Sequence, residues 1–212
     1  MKAKPIVLIG AGGHAKVLYE LLQLNARVVS SITCKQRSDM DTFFSALSYV
    51  EDQRLAEQCP ADEYDLAIGV GSVLPHPTRI ALYQQFKAAG YTIVGGIHPS
   101  ATVNQFAEVS PSAQVMAGAI IQASAKIADN VIINTAATVD HDTQISAHVH
   151  ISPGVTVCGG VSIEEGAHIG AGAILLQGVC IGAGSLIAAG AVVVGNVPAN
   201  TKVKGLPARE FA

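Results

Sequence analysis

Asp140-His141-Asp142 and His148-Val149-His150 place three histidines and two carboxylates within eleven residues, 140–150. An imidazole titrates near neutrality, so a histidine beside a carboxylate can take a proton from an attacking nucleophile. On this reading His141 is a general base, and Asp142 or Asp140 fixes its tautomer and stabilises the imidazolium. Two other readings stay open at this point: imidazoles also bind zinc, and polar groups on an outer surface are often only solvated. A second candidate lies in IVLIGAGGHAKV. There Gly10-Ala11-Gly12-Gly13-His14-Ala15 fits G-x-G-x-x-A between a strand and a helix. Glycines let a phosphate approach the backbone, and the helix N-terminus attracts it. A bound NAD would call for a carboxylate at the end of the next strand, and Ser30-Ser31-Ile32-Thr33-Cys34 offers none. Lys35 and Arg37 could meet a 2′-phosphate instead, but the α/β segment is short for a full dinucleotide fold. The loop is therefore read as a nucleotide-diphosphate site, with His14 at its mouth. A purely structural glycine turn is the alternative.

The histidines sit in a repeat. From Ile97 to Val193 every sixth residue is Ile, Val or Leu, giving seventeen hexads in one phase without insertion. Four residues after each comes a small or β-branched residue, such as Ala125, Val131, Ala137 and Thr143. A fixed short period of this kind marks a β-solenoid of stacked hexapeptide strands. Three hexads close one triangular coil, so the array makes between five and six coils. His141 is third in its hexad and His150 is last in the next, which puts them on successive faces. Within one chain they cannot touch; they can meet across a groove between two copies. The pair His148 and His150, read as i and i+2 of a strand, would point the same way.

Before the array the chain alternates between strand and helix patterns. Ile6–Gly10, Val28–Thr33, Asp65–Gly69 and Tyr91–Gly95 read as strands. Residues 14–24, 50–58 and 75–89 read as helices. Alternation of this kind predicts a small Rossmann-like parallel α/β domain over residues 1–95, followed by the solenoid domain over 96–212 with its C-terminal tail. The tail from Lys202 is expected to pack back along the outside of the solenoid.

Half of the 212 residues are hydrophobic, yet only 5% are aromatic and none is Trp, which suits a narrow aliphatic interior. A net charge of −3 leaves no basic stripe for nucleic acid. The four cysteines are scattered without paired spacing and are read as reduced thiols of a cytoplasmic protein. No run is long and apolar enough to span a membrane.

Taken together, the segments IGAGGHAK, GIHPSA, NTAATVDHDTQI, HVHISPGVTVCGGV and GLPARE resemble the PglD/NeuD-type sugar O/N-acyltransferases over nearly the whole chain. The resemblance implies a left-handed parallel β-helix, a homotrimer, acetyl-CoA between neighbouring helices, and a nucleotide-linked amino sugar on the N-terminal domain. It places the catalytic base on His141 and its orienting acid on Asp142. It places acetyl-CoA contacts on His150, Gly159, Ala171, Ala189 and Gly190, and the nucleotide-sugar loop on Gly12, Gly13 and His14. Two stretches depart from the family pattern. Thr33-Cys34-Lys35 stands where relatives often carry an acidic pair, and Val70-Gly71-Ser72 where they often carry Asn or Asp.

The function expected is acetyl-CoA-dependent N-acetylation of the 4-amino group of a UDP-linked 4-amino-4,6-dideoxy sugar, without a metal. O-acetylation of a sialic acid or related sugar is the alternative. A zinc hydro-lyase resembling gamma-class carbonic anhydrases is a more distant one, and a non-catalytic sugar-nucleotide sensor a third.

Overall fold

The computed structural model describes residues 3–72 and 77–210. They form two compact units, one of residues 3–71 and 77–96, the other of 72 and 97–210.

The first unit is built on a parallel sheet. Strands β1 (Ile6–Ile9), β2 (Val29–Thr33), β3 (Ser48–Tyr49) and β4 (Asp65–Ile68) lie in the order β3-β2-β1-β4. All four residues of β1 are buried, as expected of a central strand covered on both faces. Helix α1 (Gly13–Leu24) turns Ala15, Leu18, Leu21 and Leu22 to the core at one-face spacing. The predicted strand at 91–95 is reduced to one bridge, Leu66 to Ile93. The segment predicted as a helix over 50–58 begins with a 3-10 turn at Asp52–Arg54, and only α2 (Leu55–Gln58) is α-helical. Helix α3 is described over Pro77–Ala88; Pro75, where the sequence pattern starts it, lies outside the described residues. Ile9 is level with Thr33 on one side and Ile68 on the other, so the carboxyl ends of three strands meet at the glycine loop.

The second unit is a three-faced parallel β-helix. Seventeen two-residue strands each end on one residue of the Ile/Val/Leu series. Strands pair with those eighteen residues away, as Thr138 does with Thr156 and Ile120. The first face holds Thr102–Val103 through Val192–Val193, the second Glu108–Val109 through Cys180–Ile181, and the third Gly96–Ile97 through Leu186–Ile187. The series residues and the small residues four places on fill the interior almost without exposed area from Ala113 onward. Each buried aliphatic contributes roughly 1.5–3 kcal/mol, and the repeat multiplies that gain coil after coil.

Each edge turns through a residue at positive φ, recurring every six residues from Gly118 to Gly190. Asp142 (φ 59°) and His148 (φ 65°) occupy two of these positions. The tail does not run back along the outside. Lys202–Gly205 continues the third face, pairing with Leu186–Ile187, and then forms a hairpin with Ala208–Glu210. An open sheet end offers unpaired backbone groups, and the tail satisfies those of Leu186–Ile187 on the third face.

Candidate active site

His141 and Asp142 lie on the edge between the first and second faces. His141 Nδ1–H donates to Asp142 Oδ2 at 2.7 Å, and the His141 backbone N–H donates to Asp140 Oδ1 at 2.7 Å. The left-handed turn at Asp142 makes the first bond possible, because it folds the carboxylate back beside the preceding ring; Asp tolerates that conformation better than most residues. Of the two acids the sequence left open, Asp142 therefore holds the tautomer and Asp140 pins the backbone. Nε2 has no protein partner among the described residues, and the side chain is 62% exposed. The Asp142 hydrogen bond, and then the negative charge of Asp140, raise the His141 pKa above its usual 6.5. The geometry is that of a base held in one tautomer with Nε2 unengaged by the described residues.

Gly159 lies eighteen residues after His141, one coil further along the same edge. A Cβ there would fall 2.6 Å from both Cε1 and Nε2 of His141. The imidazole thus lies flat over the glycine, and the missing side chain is what makes room for it. Of the neighbouring amides, Gly160 N–H is engaged by the His141 carbonyl at 2.9 Å. The Gly159 N–H has no backbone partner among the described residues.

The other two histidines of the motif go elsewhere. His148 is on the turn between the second and third faces, its Nδ1 2.9 Å from Asn130 Nδ2. It is not part of a strand, so the expected strand alternation with His150 does not hold. His150 opens a strand of the third face and is 7% exposed. Asn134 Nδ2 donates to its Nε2 at 3.1 Å, with the amide orientation set by Thr135 N–H on Asn134 Oδ1. Its Nδ1–H faces the Ser72 carbonyl at 2.9 Å and the Ser72 hydroxyl at 2.8 Å. Its ring also packs edge-on against His168, centroids 4.9 Å apart. Burial pushes the His168 pKa down. Neither structure nor spacing brings His141 and His150 together in one chain. Among the described residues there is no group of three His, Cys, Asp or Glu side chains able to hold a metal ion.

Ala171, Ala189 and Gly190 stack on the edge between the third and first faces, with Gly190 N–H donating to the Ala171 carbonyl at 2.9 Å. That edge and the His141–Gly159 edge bound the same first face, whose outer surface carries Ile120 and Ile174, both more than a third exposed.

In the first unit, a cavity of about 470 Å³ opens at the carboxyl ends of the strands, lined by Ile9 to Gly12, Thr33 to Lys35, Asp52, Val70 and residues of α3. Gly12 caps α1 without any side-chain hydrogen bond. Gly12 and Gly13 have open space where a side chain would be, and neither needs a left-handed backbone. The turn's steric demand falls instead on Gly10, at φ 96°, and on Gly69, where a Cβ would meet Ala15 at 2.8 Å. His14 packs its Cβ against Gly71, where a Cβ would come within 3.1 Å. Arg79 is buried without a carboxylate partner among the described residues; its Nη1 donates to the carbonyls of Ile68 and Val70, each at 2.8 Å. Burial lowers its pKa to about 9. Asp52 was not foreseen as a site residue: it accepts a short hydrogen bond from the Thr33 hydroxyl at the end of β2.

A His–carboxylate pair displayed on the edge of a hexapeptide β-helix, in a chain that also carries a glycine-loop α/β domain, defines an acyltransferase of the hexapeptide-repeat class. A family model described as bacterial transferase hexapeptide (six repeats) matches residues 142–177. The acetyltransferase domain of PglB from Neisseria gonorrhoeae, solved with acetyl coenzyme A, superposes with a TM-score of 0.90 at 33% identity, covering 99% of this chain and 100% of that one. PerB from Caulobacter crescentus, solved with CoA and GDP-perosamine, gives 0.89 at 33% identity, covering 100% and 99%. Variants of perosamine N-acetyltransferase from Caulobacter crescentus with one histidine replaced by Asn or Ala match at 0.88, also at 33% identity. No match was found among curated protein sequences. The chain belongs to the PglD/NeuD-type sugar N-acetyltransferases, and its solenoid is a left-handed parallel β-helix.

Proposed function

We propose that this protein transfers the acetyl group of acetyl-CoA to the 4-amino group of a nucleotide-linked 4-amino-4,6-dideoxy sugar, with UDP as the nucleotide. The observation that carries this reading is the His141 imidazole, tied through Nδ1 to Asp142, with Nε2 unengaged over Gly159. The relatives solved with acetyl-CoA, and with CoA and GDP-perosamine, support the substrate class.

The neutral amine attacks the thioester carbonyl carbon while His141 Nε2 takes its proton. Asp142 stabilises the imidazolium that results. The Gly159 N–H, without a backbone partner among the described residues, donates to the oxyanion, whereas Gly160's is already used. The tetrahedral intermediate collapses, the C–S bond breaks, and the proton passes from His141 to the CoA thiolate. Base catalysis of this kind supplies about 10²–10⁴-fold, and holding two substrates in register supplies much of the rest.

In the same reading the protein is a homotrimer. Acetyl-CoA lies in the groove between two β-helices, against Gly159 on one edge and Ala171, Ala189 and Gly190 on the other. His150 serves the acetyl-CoA side as part of a wall with Asn134 and His168 rather than as a proton acceptor, because both its nitrogens are engaged. The nucleotide's diphosphate rests on the amides of Gly12, Gly13 and His14. Thiol release from acetyl-CoA against UDP-, GDP-, dTDP- and CMP-linked amino sugars tests the proposal. Release with one or more 4-amino sugars is expected. Release only with hydroxyl acceptors such as a sialic acid would replace it with the O-acetyltransferase reading.

A further inference from the structure

In a sheet of order β3-β2-β1-β4, a nucleotide lies across the carboxyl ends of β1 and β2, its diphosphate on the loop after β1 and its ribose at the end of β2. Nucleotide folds commonly place a carboxylate there for the ribose hydroxyls. The end of β2 in this chain, Thr33-Cys34-Lys35, has none of its own. The fold brings one from nineteen residues further on. Asp52, at the start of the 3-10 turn after β3, accepts the Thr33 hydroxyl through Oδ1. Thr33 is 1% exposed, so its hydroxyl is a fixed anchor for that carboxylate. The second oxygen, Oδ2, has no partner among the described residues.

Two cavities have Asp52 in their lining. The first, of about 470 Å³, runs from the glycine loop to Thr33 and Lys35. The second, of about 490 Å³, is lined by Gln36, Arg37, Tyr49, Glu51 and Gln53 besides the two residues it shares with the first. Lys35 and Asp52 line both. A nucleoside diphosphate has the same order of parts: a diphosphate for the glycine loop, a ribose, and a flat base with hydrogen-bonding edges that amide side chains can meet. The shared wall is where the ribose falls. Resting on the reading of this domain as the nucleotide-sugar site, we infer that Asp52 is the ribose-binding carboxylate. It accepts the 2′-hydroxyl through Oδ2 and selects ribonucleotide-linked over 2′-deoxyribonucleotide-linked sugars.

Titration calorimetry on the full chain with UDP, GDP and their 2′-deoxy counterparts tests this. A hydrogen bond to a charged acceptor predicts that at least one ribonucleotide binds about 10-fold or more tightly than its 2′-deoxy form. Asp52→Ala should bring that ratio to within about 2-fold by weakening the ribonucleotide alone, since the deoxy form never made the bond. Asp52→Asn keeps the shape and an acceptor for Thr33, and should give an intermediate ratio while melting within a few degrees of wild type. Equal weakening of both forms by Asp52→Ala, or a wild type that does not discriminate, would overturn the assignment. If none of UDP, GDP, dTDP and CMP binds the wild type, the nucleotide reading of the domain falls with it. Ribonucleotide binding with a ratio untouched by the substitutions overturns Asp52 alone.

Discussion

Gly159→Ala places a methyl group against the free nitrogen of the proposed base. The added Cβ would lie 2.6 Å from His141 Nε2 and Cε1, whereas ordinary contacts are about 3.5–4.0 Å. The ring must therefore retreat by about 1 Å, and as it swings it leaves the 2.7 Å bond to Asp142 Oδ2. Misplacement of a catalytic group by that much costs on the order of 10²-fold in rate, so kcat should fall about 10- to 100-fold. Stability should change by less than about 1 kcal/mol, because Gly159 is not in the left-handed region and the 62% exposed imidazole yields easily. Thiol release under saturating acetyl-CoA and amino sugar, with thermal melting alongside, measures both. A pH profile separates the cause. The acidic limb of kcat reports loss of the unprotonated base; His141 has its pKa raised mainly by Asp142, so losing that bond moves the limb to lower pH. An effect on CoA binding alone would raise KM and leave the limb in place. In a His141→Ala background the glycine substitution should no longer lower kcat. If Gly159→Ala keeps more than half of wild-type kcat, or slows the reaction equally without His141, the role given to this glycine is wrong.

Asp142→Asn should lower kcat about 10-fold or more and shift the acidic limb downward, because the first cause of the raised His141 pKa is removed; a limb that stays put would show that Asp142 does not control the base. Gly13→Val should raise KM for the sugar nucleotide about 10-fold and leave KM for acetyl-CoA within about 2-fold, as should His14→Ala. Melting of Gly13→Val should stay near wild type, since the site is open space; a raised KM for acetyl-CoA with the sugar spared would reverse the assignment of substrates to domains. Light scattering at micromolar concentration should give three times the chain's 21.8 kDa. His150→Ala should weaken acetyl-CoA binding, and mixed trimers of His141→Ala and His150→Ala chains should be more active than either parent; a monomer mass, or no gain on mixing, would argue against a site shared between copies.

Much of this was legible in the sequence because the fold is periodic. The series Ile97 to Val193 marked the last residue of each of the seventeen two-residue solenoid strands, since a narrow interior accepts only aliphatic groups at that step. The same period hid a further signal: written in rows of eighteen, the sequence sets Gly159 directly beneath His141, which would have shown the space left for the ring. The turn at Asp142 was less visible, because left-handed positions earlier in the array are filled by Ser, Asn, Ala, Asp and His, with glycine regular only from Gly154. Tertiary placement was not legible at all. Asp52 reaches Thr33 only because a two-residue strand, Ser48–Tyr49, carries the chain back beside β2, and a strand that short leaves no pattern. The Ser72 contacts of His150 join residues 78 apart in the chain, which no local spacing encodes.

The central claim is that His141, oriented by Asp142, is the base for acetyl transfer from acetyl-CoA to a nucleotide-linked amino sugar. Its most direct test is single-turnover acetyl transfer by wild type and His141→Ala, side by side, on the sugar nucleotide that the panel identifies. The variant should transfer acetyl at least about 10²-fold more slowly while binding acetyl-CoA as wild type does. Transfer at more than half the wild-type rate by the variant would contradict it.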